Sequence, residues 1–420
     1  MMDRLASTDE AVRDVRETTC CVVGGGPAGV MLALLLARRG VPVTLLEAHK
    51  DFERDFRGDT IHPATLDVLH QLGLAEQVLQ MPHGKMRRLK IVTPQGSVLM
   101  GDLGRLRCRF PFVAMLPQAQ LLEFLVHEAE KLPAFHREMG ANVQRIVVED
   151  DVVRGVRYRG ADDAWHEVRA VLTVACDGRF SKVRALAGLE PVKTAPPMDV
   201  VWFRLPRLPA DEQDDGTIYI ADGHLAVMLD RADEWQVGYV ILKGSLQQVR
   251  AAGIDTVRQS LRRLVPWLSD RVDLLHDWKQ TTVLSVESSR LREWHRPGLL
   301  LIGDAAHVMS PVMGVGINYA IQDAVETANL LAAPLRRGRV EAADLAAVQK
   351  SRQFPVRVIQ AFQRMIQNRI AAPALQAGRP FRIPWFLRLA LRLPVLRNIP
   401  ARMVAYGIRP ARIRECTANQ

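Results

Sequence analysis

The sequence is short of cysteine and has no long apolar run, and each shortage removes a class of protein. Its five cysteines (Cys20, Cys21, Cys108, Cys176, Cys416) are odd in number and include no Cys-x-x-Cys pair among 420 residues. That argues against a disulfide-built scaffold and a four-cysteine zinc site, and it fits a reducing, cytoplasmic setting. The apolar stretch Ala28–Ala37 stops at Arg38, well short of the roughly 20 residues a membrane-spanning helix needs. The first 19 residues contain no apolar signal-peptide core. No His-x-x-x-His or Glu-rich metal-ligand spacing is present, so no metal is expected, and no Gly-x-Ser-x-Gly elbow appears.

Acidic residues are missing from one region. The chain has 56 Lys and Arg against 46 Asp and Glu. Between Leu345 and Arg414 lie 14 of those basic residues and no acidic one, which leaves 42 basic against 46 acidic elsewhere. The net charge of +10 therefore belongs to one end of the chain. No DNA-binding motif or aromatic-rich basic sheet accompanies it, so nucleic acid is not an expected partner. Residues 379–414 alternate arginine with Trp385, Phe386, Leu389, Leu393 and Leu396, while Pro384, Pro394 and Pro400 divide them into short helices. Such a segment suits packing on the protein's own, mildly acidic body; the alternatives are a dimer partner, a peripheral membrane contact or an acidic carrier protein. The oligomeric state cannot be read from the sequence.

What is present begins with a strand-like run, Thr19–Val23, followed by Gly24, Gly25, Gly26, Pro27, Ala28 and Gly29. Val30–Arg38 reads as a helix, and Pro42–Leu46 as a second strand ending in Glu47. This order makes Gly-x-Gly-x-x-Gly a dinucleotide cradle. Gly24 permits the tight turn, Gly26 lets a diphosphate approach the backbone, and Gly29 lets helix and strand pack closely. The helix N-terminus offers N–H groups and a positive dipole end. Glu47, 18 residues past Gly29, can accept hydrogen bonds from ribose hydroxyls and disfavours a 2′-phosphate. No second cradle follows.

Two later strand-like runs also end in acid and glycine. Val171–Cys176 leads to Asp177 and Gly178, then Ser181 and Arg184; Gly298–Ile302 leads to Gly303, Asp304 and His307, then Pro311, Gly314, Val315, Gly316, Ile317 and Asn318. A helix is expected over Asn318–Leu331, with apolar residues at helical spacing. Asp304 suits a polyol hydroxyl such as ribityl, and a helix opening at Gly314–Asn318 suits charge on a flavin pyrimidine ring.

Together these three motifs resemble the group A, para-hydroxybenzoate hydroxylase-like FAD-dependent monooxygenases, over roughly residues 17–345. The resemblance implies an α/β, Rossmann-like FAD-binding fold with an interleaved antiparallel-sheet substrate domain and a C-terminal helical region. It implies FAD segments at 17–85, 111–190 and 286–345, substrate-domain parts at 86–110 and 191–285, and a basic helical end at 346–420. It gives Arg57 a contact with the FAD diphosphate, Gln118 one with the ribityl-phosphate side, and Asp177 and Arg184 a joint role towards FAD and NADH or NADPH. His307 holds its loop. The implied reaction uses NAD(P)H and O2 and hydroxylates an aromatic or polycyclic small molecule through a flavin C4a-hydroperoxide.

Strands over Val200–Leu205, Gly216–Ile220, Leu225–Leu229 and Trp235–Ile241, with a helix over Asp255–Val265, form the expected substrate region. Trp202, Tyr219, Met228 and Tyr239 are its candidate pocket residues, and His62 is the candidate for catalysis. The alternatives are an FAD-dependent reductase or dehydrogenase of an isoprenoid or quinone-type lipid at a membrane surface, and a non-enzymatic flavin sensor. A flavin halogenase would show Trp-x-Trp-x-Ile-Pro, which is missing.

Overall fold

The structure, a computed structural model, describes residues 11–53, 59–211, 216–231, 233–376, 381 and 394–414. Its first layer is a parallel sheet centred on Val12–Val23. Trp165–Ala175 pairs on one side and Val43–Glu47 on the other; Leu299–Leu301 and Phe135–Met139 extend the two flanks. The strand runs Cys20–Val23 and Val43–Glu47 are buried throughout, as expected for a sheet covered on both faces. The central strand is longer than its apolar core, because half-buried Val12 and the exposed residues 14–17 also pair with Trp165–Ala175. Trp165–Ala175 continues into an antiparallel meander with Val152–Arg159 and Asn142–Glu149.

Pro27–Arg38 is a buried helix, and the helix predicted over Asn318–Leu331 runs from Gly316 to Arg336. Gly303 (φ +59°) sits where these two helices meet the sheet: a Cβ there would lie 3.2 Å from that of Ala28 and 3.4 Å from that of Ala320.

The second layer is a seven-stranded sheet. Its order is Thr282–Leu284, Met198–Pro206, Glu234–Leu242, His224–Asp230, Gly216–Ala221, Arg88–Thr93 and Gly96–Asp102. Two distant stretches of chain thus share one sheet, joined by the parallel pairing of Gly216–Ala221 with Arg88–Thr93. Helix Ile254–Leu264 covers one of its faces through Val257, Leu261 and Leu264.

The described part of the basic end lies on the body. Helix Pro394–Tyr406 runs through Pro400 and is not broken there. Burial of Ala401 and Ala405 compensates the single hydrogen bond a proline omits. Ala405 packs with Leu103, Val113 and Met115. Residues beyond it follow helix Gly316–Arg336: the Asn329 amide donates to Arg412 O at 2.8 Å, and Arg414 pairs with Glu326 at 2.9 Å. Among the described residues no helix is long and apolar enough to cross a membrane.

Candidate active site

Gly24 turns the chain out of the central strand with φ +105°; a Cβ there would lie 2.5 Å from Cys176 O. A Cβ on Gly29 would lie 1.9 Å from Gly24 O, so helix and turn touch backbone to backbone. At Gly26 a Cβ would meet nothing within 4 Å. The space in front of the helix, whose first residue is Pro27, is therefore open where a diphosphate would lie, and Ala28 behind it is buried. Glu47 Oε2 accepts the Gly25 N–H at 2.7 Å, and Oε1 accepts the His49 N–H at 3.0 Å. The carboxylate thus shapes the turn and retains acceptor capacity for ribose hydroxyls.

The second motif is an internal brace. Asp177 accepts from Ser181 Oγ at 2.5 Å and from Val183 N at 3.0 Å, while Ser181 caps the short helix Lys182–Leu186. Burial raises the Asp177 carboxyl above its ordinary pKa, against the bonds from Ser181 and Val183. Gly178 has φ +81° and open space around it. Arg184 donates to Ala305 O at 3.0 Å and to Arg179 O at 2.8 Å, so it ties the second motif to the third.

In the third motif, Asp304 is half-buried on the Gly303–Ala305 turn. Behind it the wholly buried Asp323 accepts from Gly303 N at 3.1 Å, His307 Nε2 at 2.6 Å and Arg352 Nε at 2.8 Å. His307 therefore holds its loop. The chain then passes Pro311 and reverses at Met313 and Gly314, both at positive φ (71° and 62°). Thr60 Oγ1 donates to Gly314 O at 2.8 Å, and a Cβ on Gly314 would lie 2.7 Å from that hydroxyl. Val315 precedes the long helix, whose first turn (Gly316, Ile317, Asn318) leaves N–H groups without intrahelical acceptors. A Cβ on Gly316 would meet nothing within 4 Å. The Asn318 side chain is spent internally: Oδ1 accepts from His62 N at 2.9 Å and Thr65 Oγ1 at 2.7 Å, and Nδ2 donates to Thr60 O at 3.2 Å. Only its backbone remains for a flavin.

His62 lies beside this loop, but its ring serves the C-terminal segment. It is buried, and Nδ1 donates to Val404 O at 2.6 Å. Burial pushes its pKa down to about 4 despite the carbonyls of Val404 and Gly314, so it is neutral near pH 7. The bond from Nδ1 suits His62 to positioning the C-terminal segment beside the loop. Because the folded protein keeps the ring neutral while the unfolded chain takes up a proton near 6.5, stability should fall as pH drops from about 6.5 to about 4, by up to about 3 kcal/mol. Urea midpoints across that range should decline less steeply for His62→Gln.

Gln118 opens helix Gln118–Glu130, and its N–H faces Asp59 Oδ1 at 3.4 Å. Asp59 in turn pairs with Arg231 at 3.1 Å, which links this end of the site to the second sheet. Arg57 lies outside the described residues.

Strand parity corrects three of the four pocket residues. Tyr219, Met228 and Tyr239 face outward, into a core under helix Ile254–Leu264. There the Tyr219 hydroxyl accepts from Trp267 Nε1 at 3.1 Å, and the Tyr239 hydroxyl meets His224 Nδ1 at 2.7 Å. The opposite face carries Val200, Trp202, Ile218, Ile220, Leu225, Val227 and Val240, packed with Val312 of the Pro311–Gly314 turn. Trp202 alone of the four is on the side of that turn. It lies across from Gly238, where a Cβ would come within 2.8 Å of the indole. Both faces of these strands are apolar, so sequence pattern does not tell them apart. Asp323 and Arg352 were also missed; the only hint of the former is a carboxylate inside an otherwise apolar helix stripe.

A doubly wound layer with one cradle, two further strand-end motifs and an antiparallel sheet over their loop defines an FAD-binding flavoprotein. A family model described as "FAD binding domain" matches residues 17–361. The chain is 33% identical over 410 residues to a 6-methylpretetramide 4-monooxygenase of Streptomyces rimosus, across 96% of this chain and 95% of that one. To a rifampicin monooxygenase of Streptomyces venezuelae it is 31% identical, across 74% of this chain and 63% of the relative. Its fold superposes on p-nitrophenol 4-monooxygenase of Pseudomonas putida with a TM-score of 0.76 at 22% identity, covering 94% of this chain and all of that one. The chain belongs to the FAD-binding, para-hydroxybenzoate hydroxylase-like family of flavoprotein monooxygenases, and FAD is its cofactor.

Asp304→Ala should weaken FAD binding about tenfold or more, the scale of one hydrogen bond to a charged group. Flavin fluorescence titration of the apoprotein measures this, and an unchanged affinity would remove Asp304 from the site.

Proposed function

We infer that this protein is an FAD-dependent monooxygenase that uses NAD(P)H and O2 to hydroxylate an aromatic or polycyclic small molecule. The observation that carries this is the apolar face around Trp202, Ile218 and Val227, set against the turn that leads into the Gly316 helix terminus. The full-length similarity to a monooxygenase named for 6-methylpretetramide supports it.

Gly24–Gly29, Glu47, Asp304 and the N–H groups at Gly316–Asn318 would hold FAD, and Gln118 stands at the same end of the site. When bound, FAD supplies the redox chemistry, taking two electrons from a nicotinamide and delivering one oxygen atom of O2 to the substrate. The chain's own work is to orient the ring against the inner sheet face, keep water out, and aim the positive end of helix Gly316–Arg336 at developing negative charge. Trp202→Ala should raise the substrate KM about tenfold with little change in FAD content, whereas Tyr239→Phe should leave KM alone; steady-state kinetics separates them.

The reading of an anionic-membrane or acidic-carrier contact rests on residues 379–393, which apart from residue 381 lie outside the described residues, while Val404, Arg412 and Arg414 are held by the body. A cytoplasmic setting fits the free thiols of Cys20, Cys21, Cys108 and Cys176.

The test is turnover under isotopic O2 with a panel of phenols and polycyclic aromatics. One labelled oxygen per product, with NAD(P)H oxidation stimulated by the same compound, is the expected result. Oxygen-independent electron transfer to quinones without label would overturn the reading.

A further inference from the structure

Helix Ala342–Ile366 carries no acid after Asp344. It is fastened to the segment that leads into the flavin turn: the Gln360 amide donates to Val308 O at 3.1 Å, and the Gln363 amide to Ser310 O and Val312 O, both at 2.8 Å. Gln360 Oε1 accepts from Arg290 Nη1 at 3.2 Å, and strand Ser288–Arg290 pairs with His307–Val308. Arg357 and Arg364 stand three residues before and four after Gln360, on the same helical face, and both are exposed. Three guanidinium groups therefore gather along the seam beside the third flavin motif. Burial and the charges of Arg357 and Arg364 together lower the Arg290 pKa.

The other described cations of this region are mostly matched. Arg352 meets Asp323, Arg414 meets Glu326, and Arg409 lies over the Phe354 ring. Among the described residues no carboxylate pairs with Arg290, Arg357 or Arg364. Guanidinium groups held together without acids are suited to a polyanion with planar oxygen pairs.

We propose that Arg290, Arg357 and Arg364 form the site that takes the phosphate groups of the nicotinamide donor. The proposal rests on the NAD(P)H reading above. A small dinucleotide fits better than a membrane or carrier protein, because the cluster adjoins the segment Val308–Val312 that runs directly into the flavin turn.

Anaerobic rapid mixing of the FAD-loaded enzyme with NADPH or NADH tests this. Arg357→Gln, Arg364→Gln and the double variant should keep their FAD and raise the apparent donor Kd about tenfold per arginine, with the effect falling on Kd and not on the limiting rate. Arg154→Gln, on the distant meander, is the control for general charge. A loss with both donors assigns the diphosphate; a loss with NADPH alone assigns the 2′-phosphate. Unchanged donor Kd in the double variant overturns the proposal, as does a loss equalled by the control. Calorimetric titration with pyrophosphate and with 2′,5′-ADP reads the same site without turnover. If neither donor reduces the wild-type flavin, the donor reading fails while arginine-dependent pyrophosphate binding still reports an anion site. Arginine-dependent binding of anionic vesicles with no effect on donor Kd would assign the cluster to a membrane and overturn the proposal.

Discussion

Gly26→Glu should yield a folded, colourless protein. The backbone at Gly26 (φ −76°) suits any residue, and a Cβ there would meet nothing within 4 Å, so the chain tolerates the side chain. The carboxylate would stand before the Pro27–Arg38 helix terminus, in the space a diphosphate needs. Two like charges about 4 Å apart near a protein surface repel by roughly 4 kcal/mol, or about three orders of magnitude in affinity. Steric exclusion adds to that. Circular dichroism should show wild-type secondary structure while the purified protein lacks flavin absorbance; a yellow protein would refute the cradle. Gly29→Val is the contrasting case. Its Cβ would lie 1.9 Å from Gly24 O, so the turn itself must break and soluble protein should be lost.

Asp323→Ala should be strongly destabilising. Asp323 is fully buried and joins Gly303, His307 and Arg352, so its removal leaves the nearly fully buried Arg352 guanidinium without its counter-charge. Breaking such a pair costs about 3–5 kcal/mol. The loop bearing Asp304 would lose its anchor as well, and FAD retention should fall with the thermal midpoint. Adding Arg352→Leu should recover part of the stability, since the orphaned charge is then gone. Burial by itself raises the Asp323 carboxyl, but the His307 and Arg352 side chains outweigh it and hold the pKa below the ordinary 3.8. A depressed carboxylate pKa contributes stability that is present above the unfolded value and lost as pH falls through the folded one. The acid limb of wild-type stability below about pH 4 should therefore flatten in Asp323→Ala. Scanning calorimetry across pH checks both points.

The cradle was legible because its requirements are local. A turn at φ +105° and a backbone contact at Gly29 demand glycine within six residues, and the acid closing the next strand follows at a spacing set by one helix. The strand-end motifs at Asp177 and Asp304 were legible for the same reason. Less legible was what their side chains do: Asp177 is turned inward to hold Ser181 and Val183 at the start of a five-residue helix, and Arg184 reaches across to Ala305. The second of these contacts joins segments 121 residues apart.

By itself the sequence determined the order of elements, the single dinucleotide cradle and the uneven placement of charge, because each depends on neighbours along the chain. Tertiary structure alone decided which face of the second sheet meets the flavin turn. Its strands are apolar on both sides, and only the helix Ile254–Leu264 packing on one of them makes Tyr219, Met228 and Tyr239 core and leaves Trp202 with Val312. It also decided where the basic end goes. Glu326, Asn329 and the His62 ring hold residues 404–414 on the body, while Arg357 and Arg364 are left exposed with no carboxylate paired to them among the described residues.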